Sequence, residues 1–226
     1  MYTIEKNITR LNNLKQTYFL DPKELMEAKS KLKKNEYLIY KPYIDSEKNI
    51  LYRGVEPKVL LYEIICNTPI RHQDILGTMY SLNIASDLFG DILVINNHYY
   101  IYILPIVQNY FESNFNKVRN SKIELKEIPL STLEKYERKY ESFELIVSSP
   151  RIDTVISSII HTGRSHIIDY IKKKEIMYNY DYLKDLDIKL KEGDIFSIKK
   201  IGKFRYKGII KNTKQGNIII QIDRYL

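Results

Sequence analysis

Residues 57–149 switch repeatedly between two hydrophobic periods, and that alternation constrains the fold more than any other feature of the chain. "KVLLYEIIC" is an apolar run of strand length. "RHQDILGTMYSL" instead sets Ile75, Leu76, Met79 and Leu82 at helical spacing. "DILVINNHYYIYIL" predicts two strands joined at Asn96-Asn97, residue types that accept the left-handed backbone of a tight hairpin. "PIVQNYFESNFNKV" predicts a helix opened by Pro105, and "KIELKEI" and "FELIV" predict further strands. The order β-α-β-β-α-β predicts a split βαβ unit, one antiparallel sheet with its helices.

This is the ferredoxin-like arrangement that RNA-recognition domains also use. Its third strand carries Tyr99, Tyr100 and Tyr102, rings of a kind that stack on bases. No RNP-type Gly/aromatic motif accompanies them, and tyrosine is common throughout the chain, so packing is the favoured reading. Before this unit, residues 1–50 read as mainly helical. In "DPKELMEAKSKLKK", Asp21 is placed to cap a helix, with Pro22 at its first position and Glu24 at its third. Pro150 marks the boundary to the last segment. The expected organisation is therefore α+β in three parts: a helical N-terminal region (1–56), an RRM-like middle domain (57–149) and a C-terminal domain (150–226).

Charge separates the same segments. Residues 1–150 hold 20 Lys and Arg against 19 Asp and Glu; residues 151–226 hold 16 against 9. A coding bias toward lysine would raise it everywhere and would not sort it by position. Between Ile195 and Ile222 there are seven basic residues (Lys199, Lys200, Lys203, Arg205, Lys207, Lys211 and Lys214) and no acid. Such asymmetry is the footprint of a polyanion-binding module. No apolar run approaches the roughly 20 residues of a membrane-spanning helix. The N-terminus lacks the apolar core of a secretory signal. A single Cys66 excludes an internal disulfide and fits a reducing, cytoplasmic setting.

In the last segment, "RIDTVISSIIH" places Ile152, Val155, Ile156, Ile159 and Ile160 on one helical face. "TG" makes a turn, and "RSHIIDYIKKKE" predicts a second helix burying Ile167, Ile168 and Ile171. Strands are expected at "IMYN", "DIKL" and "IFSIKKIG", with the turn "KEGD" before the last.

This stretch resembles the small RNA-binding domain first described in ribosomal protein S-four, the αL motif. Arg151, Asp153, Arg164, Asn179, Gly193 and Asp194 fall on the motif's positions. Gly163 stands where the motif has Ser, and Ile152 where it has Leu. A longer set of collinear matches is similar to the YlmH family: "FLDPKE", "RHQDILGTMYSLNI…FGDILV", "EIPL", "VSSPRID" and "IGKFR…TKQGNI". The match is weakest over residues 35–56.

The resemblance implies a protein that binds rRNA and tRNA on large ribosomal subunits still carrying peptidyl-tRNA. There it would support ribosome-associated quality control and C-terminal tailing of the stalled chain. The implied partners are large-subunit rRNA, peptidyl-tRNA and a nascent-chain tailing factor, with no membrane, no cofactor and a monomer when free. The candidate RNA contacts are Arg151, Arg164, Ser165, His166, Lys172, Lys173, Lys199, Lys200, Lys203, Arg205, Lys207 and Lys214. Arg164 is expected to meet phosphate, although it could instead pair with the neighbouring helix. Asp153 is expected to hold the first helix or an arginine, since a carboxylate repels phosphate, and Asn179 to serve a turn or strand end. Successive lysines 172–174 lie about 100° apart on a helix, so only one or two of them face a single ligand.

Catalysis finds little support. There is no GxGxxG or GxxxxGK loop, no nucleophile–base pair, and His161 and His166 lack partners at metal-ligand spacing. The expectation is a binder and not an enzyme. A role in ribosome assembly or rRNA maturation is the alternative, with an RNA-modifying enzyme built on His72 or Asp74 a third.

Overall fold

The computed structural model describes residues 2–226, which form two compact units, 2–137 and 138–226. The first opens with helices α1 (Tyr2–Leu14) and α2 (Pro22–Lys31). Asp21 and Glu24 form the expected reciprocal cap: the Glu24 N–H donates to Asp21 Oδ1 at 2.8 Å and the Asp21 N–H to Glu24 Oε2 at 3.1 Å. Helix then gives way to a hairpin of β1 (Leu38–Tyr40) and β2 (Ile50–Tyr52). Residues 1–50 are thus helical only in their first two-thirds.

There follow β3 (Leu60–Cys66), α3 (His72–Ser81), β4 (Phe89–Ile95), β5 (His98–Ile103), a 3-10 turn at Pro105–Val107 leading into α4 (Gln108–Asn114), β6 (Lys117–Val118) and β7 (Ser121–Ile128). The strands form one antiparallel sheet in the order β4-β5-β3-β7-β6. Asn96 and Asn97 turn the β4–β5 hairpin with φ of 49° and 64°, the left-handed pair that a type I′ turn requires.

Helices cover one face of this sheet, and the N-terminal region covers part of the other. On one, Ile75 and Met79 of α3 and Phe111 of α4 pack against Tyr62, Ile64, Tyr99 and Ile101. On the other, the N-terminal region lays Phe19, Tyr43 and Ile50 over Leu61, Leu93 and Tyr102. Gly90 makes this contact possible: a Cβ there would fall 2.9 Å from two atoms of the Phe19 ring. The adjacent Asp91 accepts from the Tyr43 hydroxyl at 2.6 Å and from the backbone N–H groups of Glu47 and Lys48 at 2.8 and 3.2 Å. Lys48 donates to the carbonyls of Ser86 and Phe89 at 2.6 and 2.9 Å. Burial lowers its pKa, and the Asp91 charge opposes that fall. The segments "FLDPKE" and "FGDILV" therefore meet as packing partners.

The second unit contains β8 (Tyr140–Val147), α5 (Ile152–Ile160), α6 (Arg164–Lys172), β9 (Ile176–Tyr178), β10 (Asp181–Tyr182), β11 (Ile195–Ile198), β12 (Gly202–Asn212) and β13 (Ile218–Tyr225). All six strands join one antiparallel sheet in the order β10-β9-β11-β12-β13-β8. The helices and one sheet face enclose the core, with Ile152, Val155, Ile156 and Ile167 against Phe196, Phe204, Ile220 and Ile222.

Four expectations are corrected here. "FELIV" was expected beside the middle sheet, but β8 pairs along its whole length with β13. "DIKL" makes only an isolated bridge between Lys189 and Arg151. "IFSIKKIG" is not one strand, because Lys199 and Lys200 (φ 67°) turn the chain back from β11 into β12. On α6, Ile167 is buried and Ile171 partly so, whereas Ile168 is exposed.

Candidate nucleic-acid interface

The start of α6 is built around two arginines and two carboxylates. Gly163 occupies the N-cap and offers no side chain to the free N–H groups of the first turn. Arg164 follows, with Nε 3.0 Å from Asp153 Oδ2 and Nη2 3.0 Å from Asp187 Oδ1. Arg151, at the N-cap of α5, donates to both oxygens of Asp153 at 3.1 and 2.8 Å and also pairs with Asp187. Burial of Asp153 opposes its ionised form. Hydrogen bonds from the Arg151 guanidinium and the Thr154 N–H, with the charges of Arg151 and Arg164, outweigh it and hold the carboxyl below its usual range. Asp153 thus joins the two helices, as an arginine-holding residue should. Arg164 is pinned at one edge and exposed at the other.

The remaining motif residues tie the sheet together. Asn179 Nδ2 donates to Asp194 Oδ1 at 2.9 Å, and Asn179 Oδ1 accepts the Ile195 N–H at 2.9 Å. Asp194 Oδ2 accepts from the Tyr178 hydroxyl and the Lys191 N–H at 2.8 and 2.7 Å. Burial, with the hydrogen bond to Asp194, pushes the Tyr178 hydroxyl up to about 12. Gly193 takes φ of 91° in the turn before β11, a conformation costly to any residue with a Cβ. These positions shape the second unit from within.

The face of the sheet opposite the helices carries a half-buried row of tyrosines and cations, with the buried Asp223 directly across from Arg205. Strand register sets Lys203 and Arg205 of β12 on the same face as Tyr225 of β13 and Tyr140 of β8. Lys203 Nζ lies 5.0 Å from the ring centre of Tyr180 and 4.8 Å from that of Tyr225. The Arg205 guanidinium lies 5.3 Å from Tyr225 and 4.9 Å from Tyr140, and donates to the Tyr225 hydroxyl at 2.7 Å. Tyr140 and Tyr225 meet edge to face with centroids 5.0 Å apart. Aromatic faces with interleaved cations are the elements of a base-stacking platform. The sequence flagged Lys203 and Arg205 but not the three tyrosines, which come together only through non-local strand pairing.

Of the other expected contacts, Ser165 and His166 are exposed on the first turn of α6, and Lys172 and Lys173 at its far end. Lys199 pairs with Glu175 at 3.7 Å. Lys200, Lys207 and Lys214 are exposed, and none forms an ion pair among the described residues. In the other unit, two of the three β5 tyrosines are buried, and Tyr100 is partly exposed beside His98. Tyr102 is fully buried and stacks on Tyr43 at 5.7 Å, and the buried Tyr99 hydroxyl accepts the Ile70 N–H at 3.1 Å. Among the described residues, no group of three or more His, Cys, Asp or Glu could hold a metal ion, and no helix is long and apolar enough to cross a membrane.

Residues 60–132 match a family model described as "Putative RNA-binding domain in YlmH". The chain is 22% identical over 155 residues to "Ribosome-associated protein quality control protein P2" of Bacillus subtilis (strain 168), a match spanning 69% of this chain and 60% of that protein. The solved "Cell division protein ylmH from Streptococcus pneumoniae" is 23% identical, with a TM-score of 0.47, covering 58% of this chain and 90% of that one. The resemblance to YlmH proteins read from the short collinear motifs agrees with the family-model match and the Bacillus subtilis relative.

Proposed function

We propose that this YlmH-like chain is a non-catalytic RNA-binding protein of the large ribosomal subunit. Its task would be to hold rRNA and peptidyl-tRNA together during ribosome-associated quality control, while the stalled nascent chain is tailed. The observation that carries RNA binding is the run from Ile195 to Ile222, which has seven basic residues and no acid. There Lys203 and Arg205 sit between tyrosine rings, Lys199 pairs with Glu175, and Lys200, Lys207, Lys211 and Lys214 are exposed. Phosphate neutralisation by such cations supplies affinity, and the rings supply sequence-tolerant stacking.

The ribosomal setting is supported by the Bacillus subtilis relative, a ribosome-associated quality control protein by name, of which the match spans 60%. On this reading the second unit is an S-four-type module with α6 turned to structured RNA, and the middle strands and helices are an RRM-like domain. Shape and phosphate placement, more than base sequence, are what such surfaces recognise.

Gradient sedimentation of tagged protein, with the large-subunit fraction probed for peptidyl-tRNA, tests the reading. Wild type should travel with tRNA-carrying large subunits, and K207Q/K214Q should be released at lower salt. Association only with precursor subunits would instead indicate assembly. Absence from all ribosomal particles would overturn the proposal.

A further inference from the structure

The sheet surface that RNA-recognition domains expose is only partly open in the first unit. Tyr43, Phe19 and Ile50 cover the part around Leu61 and Tyr102, and the part left open, around Ile65 and Tyr100, carries the carboxylates of Glu63 and Glu124 beside Lys126. That mixed surface suits a polyanion poorly and points to an RNA contact elsewhere in the unit.

A groove of about 540 Å³ runs between α3, the end of α4 and the β6–β7 hairpin. Gln73, Asn114, Asn116, Lys117 and Arg119 line it with donors, and Asp74 is its one carboxylate. That carboxylate is occupied. Arg71 grips it through Nη2 and Nε at 3.0 and 3.2 Å, leaving Arg119 at 3.8 Å with two-thirds of its side chain exposed. Gly77 on α3 keeps the floor open, since a Cβ there would meet nothing within 4 Å.

Two features of the hairpin run against the stability of the free protein. Lys117 stands directly across from Lys122 in the β6–β7 register, a like-charge pair that weakens a hairpin. Arg119 takes φ of 54° in the turn, where Asn or Gly would be easier. A bound anion would relieve the first and give the second a purpose.

We infer that this groove, and not the sheet, is the nucleic-acid surface of the first unit, with Lys117 and Arg119 receiving the phosphates of an RNA strand. The amides of Gln73, Asn114 and Asn116 lie where they can reach phosphate or ribose hydroxyls, so the contact is to backbone and carries little sequence preference. The inference rests on the RNA-binding reading above and adds a second, separate site to it.

Fluorescence anisotropy of a labelled RNA hairpin, titrated with the full chain at several salt concentrations, tests it. K117Q/R119Q should weaken binding about tenfold and flatten the slope of log affinity against log salt by about two. K58Q/K135Q removes the same charge from exposed positions outside the groove and should change affinity less than about twofold. Because substitution relieves the Lys117–Lys122 repulsion, K117Q/R119Q should melt no lower than wild type, which separates lost contact from lost fold. Equal affinities for the two double variants would overturn the groove while leaving RNA binding intact. Wild type without affinity for the hairpin would overturn both.

Discussion

The guanidinium of Arg164 reaches the buried carboxylate of Asp153 at 3.0 Å. The arginine that the motif suggested for RNA is therefore a structural tie between α5 and α6. Arg164→Ala leaves Asp153 still bonded to Arg151 and to the Thr154 N–H. The lost pair is half in solvent, so the cost should be about 1 kcal/mol or less. Asp153→Asn removes the charge that holds both arginines and should cost about 2 kcal/mol. Denaturant unfolding distinguishes them.

The same carboxylate sets a pH dependence. Its folded pKa lies below the ordinary value, near 3.9 for an unfolded aspartate. Between those two values the unfolded chain binds more protons, so stability is fully present above the unfolded pKa and is lost as pH falls through the folded one. Asp153→Asn should show a shallower acid decline than wild type; an identical slope would mean that the pair contributes nothing.

Gly90 answers to packing, not to backbone freedom. Gly90→Ala drives a methyl group against the Phe19 ring and should cost about 1–3 kcal/mol. Adding Phe19→Leu should recover part of that loss in a double-mutant cycle. Strict additivity would show that the ring is not what the methyl meets.

Gly163→Ser should stabilise. The N-cap backbone is extended, and the nearest neighbour of an added Cβ is Ser165 Oγ at 3.9 Å, so a hydroxyl fits and can accept an N–H of the first turn. The gain expected is about 0.3 kcal/mol, the difference between glycine and serine at a cap. Thermal melts of the pair would measure it.

Local patterns in the sequence located most elements and, outside the middle sheet, few of their long-range partners. Asp21-Pro22 with Glu24 reported a cap, and Asn96-Asn97 a hairpin, because those signals act within four residues. "FELIV" read correctly as a strand but in the wrong sheet: alternation marks a strand, whereas β8 and β13 are joined only by tertiary folding. The turn at Lys199-Lys200 carries no Gly, Pro or Asn, so "IFSIKKIG" looked continuous. The basic cluster was legible from charge alone. The tyrosines that flank it were not, since they are 3 of 20 spread along the chain and meet across strands far apart in sequence.

The most direct test of RNA binding by the second unit is ultraviolet crosslinking of the full chain to purified large subunits carrying peptidyl-tRNA, with mass spectrometry of the RNA-bearing peptides. The account predicts adducts on the tyrosine row around Tyr180 and Tyr225 and on the β12 peptides from Lys203 to Lys214. Adducts confined to α1 and α2, or none on the second unit, would contradict it.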